Sequence, residues 1–293
     1  MMTWLTSRFI SRLEALELSV RSVRTGYRLG GRFAINRRGA SMEFADYVPY
    51  APGDDIRAID WNLYARLDRL FVKTYKEEIA LAVEVLVDAT PSMGLPTREK
   101  FERAVQIAVS IGYVALAGGH HVRFHWVRAG RVTAGPWFHQ RGDLMRMAQQ
   151  AAAMRLGGAI SLDGWVQRAV LACRMRGGQA LLITDGMARP AEFFRALHIL
   201  RMRHLEAKVI QVLTAQELQP ARLFQGGVLV DAESGATQQL AYSPAELAQA
   251  MTDHQERLAR FCKRRGIPFV LHRLDESLDA FMTQTLPAHG ILE

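Results

Sequence analysis

Leu81-Ala-Val-Glu-Val-Leu-Val-Asp88-Ala-Thr-Pro-Ser-Met-Gly94 is the stretch on which the fold turns. From Leu81 to Val87 only Glu84 interrupts an apolar run, the pattern of a strand buried on both faces in a parallel sheet. The strand closes on Asp88, and the loop beyond it carries hydroxyls at alternate positions, Thr90 and Ser92. Gln179-Ala-Leu-Leu-Ile-Thr-Asp185 repeats the design, a second buried strand ending in aspartate. Between the two, periodicity predicts a helix over 98–117, strands at 121–127 and 131–134, and helices over 141–155 and 162–176. Beyond them come helix 190–203, strand 207–213, helix 244–265, strand 267–271 and helix 276–286. Irregular strands around Val228 and Gln238 form a small β insertion near 222–243. Strands alternating with helices predict a doubly wound α/β domain with a mainly parallel sheet over 81–293.

Residues 1–80 read as a separate N-terminal extension of helix and irregular or β structure packed on that core. Leu5, Phe9, Leu13, Leu16, Val20 and Val23 recur at helical steps, predicting an amphipathic helix over 3–24. Residues 42–52 alternate like a strand and run into Ala51-Pro52-Gly53, which suits a type II turn. Asp54 is the expected cap of a short helix reaching about Leu67, followed by a strand over 70–75.

Of 293 residues 49% are hydrophobic, ample for a large core, and no apolar run reaches the ~20 residues of a membrane helix. Arg8, Arg12 and Glu14 break what a secretion signal would need, so a cytoplasmic protein is expected. Cys173 and Cys262 form no CxxC pair, which excludes a disulfide scaffold or zinc ribbon and reads as two small buried helix residues. The net charge of +8 is uneven: residues 1–38 carry eight arginines against two glutamates. A solvated basic face is the plain reading, and contact with a protein or membrane surface is the functional one. No RNP, KH or zinc-finger pattern accompanies the basic residues, so no specific nucleic acid is expected.

Doubly wound sheets bind ligands beyond the carboxyl ends of their strands, where Asp88 and Asp185 stand. A carboxylate with alternating hydroxyls offers the oxygen donors that Mg²⁺ prefers, with Asp185 as a further acceptor. Such residues also cap turns and helices. A Mg²⁺-dependent phosphoesterase using Asp88 as nucleophile is the enzymatic alternative. It would want a second carboxylate two residues on, and Thr90 stands there. His121, Arg123 and His125 share one face of a strand and read as a polar face rather than a zinc site. Trp61 and Tyr64, among the charges of 54–69, read as an internal network, with a docking surface as the alternative.

Asp88-x-Thr90-x-Ser92 with Thr184-Asp185-Gly186 resembles the metal-ion-dependent adhesion site of von Willebrand factor type A domains. Upstream, Glu43-Phe-Ala-Asp-Tyr-Val-Pro-Tyr-Ala-Pro-Gly-Asp-Asp-Ile-Arg-Ala-Ile-Asp-Trp-Asn-Leu-Tyr-Ala-Arg66, with Leu70-Phe-Val-Lys73 and Glu77-Glu78, is similar to the signature of bacterial domain-of-unknown-function family 58. The likeness runs from Gly39 to about Leu286. It implies a cytoplasmic, non-enzymatic interaction protein with a von Willebrand A-like domain, partnered by a MoxR-type AAA+ ATPase in maturing or remodelling client proteins. It also implies a metal site formed by Asp88, Thr90 and Ser92, with Asp185 as a further metal-site residue, an acceptor behind the direct ligands. Type A domains add a threonine after a Gly-Gly approach. Here Gly157-Gly158 leads to Ala159, and Ser161 is the substitute that a small loop shift would supply. A Mg²⁺ site degenerate at Ala159 is the resulting expectation. The rival to an interaction module, besides the phosphoesterase, is a basic surface binder of nucleic acid or lipid.

Overall fold

A computed structural model of the chain describes residues 3–20, 43–76, 80–128, 131–158, 160–175, 177–219, 228–230, 237–239 and 243–293. Contacts group the chain into two units, Met1–Ser19 with Leu81–Glu293, and Val20–Ala80. Helix α1 covers only Ser7–Leu13, capped by the Thr6 hydroxyl and burying Phe9 and Leu13. The longer helix predicted over 3–24 stops because the following backbone pairs with the C-terminus. Glu17 and Glu293 exchange N–H···O bonds of 2.9 and 2.8 Å, and Ser19 N donates to Ile291 O at 3.2 Å. Positions 21–24 of that prediction lie outside the described residues.

The smaller unit is a hairpin of β1 (Glu43–Pro49) and a second strand, with α2 (Trp61–Leu67) between them. That second strand, β2 (Phe71–Lys76), runs antiparallel to β1. The turn at Ala51-Pro52-Gly53 forms as expected, with Asp54 N on Ala51 O at 3.0 Å and Gly53 at φ +110°. Asp54 is not a helix cap: its carboxylate accepts from Ala51 N at 2.8 Å. Asp55 caps a 3₁₀ turn, Ile56–Ala58, and Asp60 caps α2, so the single predicted helix is split in two. Asp60 also accepts from Lys73 at 3.0 Å and Tyr47 at 2.9 Å. The Lys73 bond, with the Leu63 amide, holds its carboxyl down at about 2. Trp61 and Tyr64 lie on the surface, 62% and 39% exposed, and meet each other edge-on at 6.2 Å. Both are therefore surface residues of the smaller unit and not part of its interior.

The larger unit is built on β3 (Ala82–Val87), whose Val83, Val85, Leu86 and Val87 are buried. Each such side chain contributes roughly 1.5–3 kcal/mol. After β3 come α3 (Glu99–Ala117), β4 (His121–Arg128), β5 (Arg131–Ala134), α4 (Leu144–Ala152) and α5 (Leu162–Ala172). Next are β6 (Gln179–Thr184), α6 (Pro190–Met202), β7 (Glu206–Leu213), the single turn α7 (Ala215–Leu218), β8 (Val228–Val230) and β9 (Thr237–Gln239). Finally come α8 (Pro244–Arg264), β10 (Phe269–Arg273) and helical turns over Leu278–Ala288. These elements match the predicted order, and β8 and β9 pair as the small insertion. Among the described residues no helix is long and apolar enough to cross a membrane.

The six-stranded sheet has the order β10-β7-β6-β3-β4-β5. All pairings are parallel except β4 with the edge strand β5. This is the expected doubly wound α/β class. The helix α3 covers one face, while α5, α6 and α8 pack on the other around Trp165, Phe193 and Leu258. The connections leaving β3 and β6 diverge to opposite faces, so the carboxyl ends of these two neighbours mark the point where doubly wound sheets place their ligands.

Candidate functional site

Asp88 and Asp185 directly follow the two strands that meet at this point. The backbone of Asp88 is still in the sheet, its N–H donating to Ile183 O at 2.9 Å. Beyond it Pro91–Gly94 form a 3₁₀ turn anchored by the buried Met93. That turn folds the hydroxyls back on the carboxylate. Asp88 Oδ1 accepts from Thr90 N (3.0 Å) and Thr90 Oγ1 (2.7 Å), and Thr90 Oγ1 lies 3.0 Å from Ser92 Oγ. From β6, Thr184 Oγ1 donates to Asp88 Oδ2 at 2.7 Å and accepts from Gly186 N at 3.0 Å. Burial, and then the charge of Asp185, raise the Asp88 carboxyl above the ordinary range, against the pull of these hydrogen bonds.

Asp185 is engaged elsewhere. Its Oδ1 accepts from Met187 N at 3.0 Å, and its Oδ2 takes the Lys100 ammonium at 3.1 Å. Lys100, in the first turn of α3, is fully buried and reaches Glu217 Oε1 at 2.6 Å as well. Glu217 Oε2 accepts from Thr214 N and Oγ1, both at 2.9 Å, closing the capping box of α7. Gln211 Nε2 adds a bond to Asp185 O at 2.7 Å.

The structure therefore gathers Asp88, Thr90 and Ser92 at one point, with Asp185 beside them. Ser161 is exposed and caps α5, its hydroxyl accepting from Gly164 N at 3.3 Å. No hydrogen bond joins it to Asp88 among the described residues. Ala159 lies outside those residues, but the approach to it is close: Gly157 N donates to Ala89 O at 2.8 Å.

The donor set suits a hard cation such as Mg²⁺, since it is all oxygen, converges on one carboxylate and opens at the half-buried Ser92. Two carboxylates, Asp185 and Glu217, share the Lys100 ammonium, and no ion pair reaches Asp88 among the described residues. No three of His, Cys, Asp and Glu come together as a metal cage among the described residues, so the ion would rest on hydroxyls and water beside Asp88.

Sequence reading missed Lys100 and Glu217. A lysine in the first turn of a helix runs against the dipole, and this was the available signal that its partner lies elsewhere. The histidine-bearing face of β4 is more than a polar surface. His125 is fully buried and meets Glu84 Oε2 at 2.5 Å, and Arg123 binds the same carboxylate at 2.7 and 3.1 Å. Cys262 is buried as expected, whereas Cys173 is half-buried, its Sγ 3.7 Å from His125 Nδ1.

The chain is 28% identical over 280 residues to the uncharacterized protein Rv1480 of Mycobacterium tuberculosis, covering 92% of this chain and 86% of that one. Similar solved structures include the conserved hypothetical protein BatB from Bacteroides thetaiotaomicron, with TM-score 0.42 and 13% identity over 72% of this chain and 98% of that one. Another is a von Willebrand factor type A structure from Catenulispora acidiphila, with TM-score 0.35 and 17% identity over 64% and 44% of the two chains. The family model described as "Protein of unknown function DUF58" matches residues 46–258, most of the chain, which therefore belongs to the DUF58 family.

Proposed function

We propose that the protein is a non-enzymatic interaction module that engages its partner through the loops at the carboxyl ends of β3 and β6. A Mg²⁺ ion held by Asp88, Thr90 and Ser92 is completed there by a carboxylate of the partner. The observation that carries this reading is the state of Asp88: buried, wrapped by three hydrogen-bond donors, and without a basic partner among the described residues. A buried carboxylate without a countercharge is costly, and a divalent ion arriving with a partner is the natural relief. The expected partner, from the family resemblance, is a MoxR-type AAA+ ATPase acting on a client protein in the cytoplasm.

The phosphoesterase alternative is the weaker reading. The position where it needs an acid/base carboxylate holds Thr90, whose hydroxyl is already bound to Asp88 at 2.7 Å. The test is co-purification of the AAA+ ATPase with wild type and Asp88→Ala, each with Mg²⁺ or EDTA. Retention that needs both Mg²⁺ and Asp88 is expected. Equal retention in all four samples would remove the metal from the mechanism and move the contact to another surface.

A further inference from the structure

The buried ammonium of Lys100 lies against Asp185, whose charge is felt at Asp88. A lysine is seldom fully buried, and this one sits where a helix dipole disfavours positive charge. Both of its partners are carboxylates, Asp185 at 3.1 Å and Glu217 at 2.6 Å. With Oδ2 on Lys100 and Oδ1 on the Met187 amide, Asp185 has no oxygen left without a donor.

From this geometry we infer that Lys100 is the resident cation of the site: it holds Asp185 off the metal and leaves Asp88 as its single anionic protein ligand. This inference rests on the cation reading proposed above and gives it a regulatory form. One anionic ligand and a fixed neighbouring positive charge make the isolated protein a weak Mg²⁺ binder. A partner carboxylate then supplies the missing negative charge, and by linkage metal and partner raise each other's affinity by the same factor. Glu217 belongs to the device, because it offsets part of the Lys100 charge.

The test is titration calorimetry with Mg²⁺ and Mn²⁺ on wild type, Asp88→Ala, Lys100→Met and Glu217→Gln, with the metal-induced rise in Tm as a second readout. Lys100→Met frees Asp185 and removes a repulsive charge, so its Mg²⁺ affinity should rise at least tenfold. Glu217→Gln keeps the lysine and the capping geometry of α7 but removes one offsetting charge, so affinity should fall at least threefold. This second variant decides the matter if Lys100→Met does not fold. A silent wild type with clear binding by Lys100→Met also supports the inference. If Asp88→Ala abolishes binding but neither Lys100→Met nor Glu217→Gln alters it, the metal reading stands and the role of Lys100 is overturned. If no folded variant binds either ion, both fall.

Discussion

Replacing Glu84 with methionine should be among the most damaging single changes in the sheet. Glu84 lies in the central strand β3 and is 3% exposed, with its carboxylate shared between Arg123 and His125 of β4. Arg123 bonds at 2.7 and 3.1 Å, and its guanidinium also covers the Trp137 ring at 4.4 Å. At an effective dielectric of about 20, opposite charges 2.7 Å apart attract by roughly 6 kcal/mol, and desolvation of the two ions takes back several. The pair's net worth is therefore small. Removing one member is different, because Arg123 stays charged and nearly buried while His125 loses its partner. Breaking such a pair costs about 3–5 kcal/mol.

Urea unfolding followed by circular dichroism should give a Glu84→Met loss in this range at pH 7. Adding Arg123→Met should recover about 2 kcal/mol, because two packed apolar residues replace the pair. Glu84 has its carboxyl pulled down by His125 and Arg123 in spite of burial, so its contribution is present above pH 4.5 and lost as pH falls through the depressed folded value. The gap between wild type and variant should narrow over that range. A loss below 1 kcal/mol, or a double variant no better than the single, would refute the account.

His272 is buried, and burial lowers its pKa to about 3, so the unfolded chain takes up a proton first as pH falls below 6.5. Stability should drop by about 1.4 kcal/mol per pH unit from this group between 6.5 and about 3, and His272→Phe should flatten that slope in pH-resolved urea melts. Gly178 has φ +86° and a Cβ there would stand 2.2 Å from Ala82 O, so Gly178→Ala should cost about 2–3 kcal/mol in the same assay; a neutral result would mean the turn relaxes freely. Thr184→Val leaves Asp88 Oδ2 and Gly186 N without their bonds, and should lower stability by about 2–4 kcal/mol and abolish the Mg²⁺-induced Tm rise. Purified protein should show no Mg²⁺-dependent hydrolysis of p-nitrophenyl phosphate; turnover that vanishes in Asp88→Asn would revive the phosphoesterase.

Local patterning alone determined the alternation of strands and helices, the two aspartates ending separate buried strands, and the insertion after β7. Each depends on residues close together in the chain: the short, valine-rich apolar run of 81–87, bounded by a Thr-Pro-Ser loop, favours a buried strand, and a strand–helix repeat favours a parallel sheet. Periodicity assigns a side chain to a face but never names what it meets there. The face of β4 was legible, yet only the parallel register set Arg123 beside Glu84, 39 residues away in sequence. The helix predicted over 3–24 ended early for the same reason, since its backbone found the C-terminal residues 291–293. Lys100 falls in the helix predicted over 98–117, and the pattern there says nothing of its partners. Tertiary packing, bringing α3, β6 and α7 together, decided that its ammonium would be buried between Asp185 and Glu217, because partners 85 and 117 residues away meet it only in the folded chain.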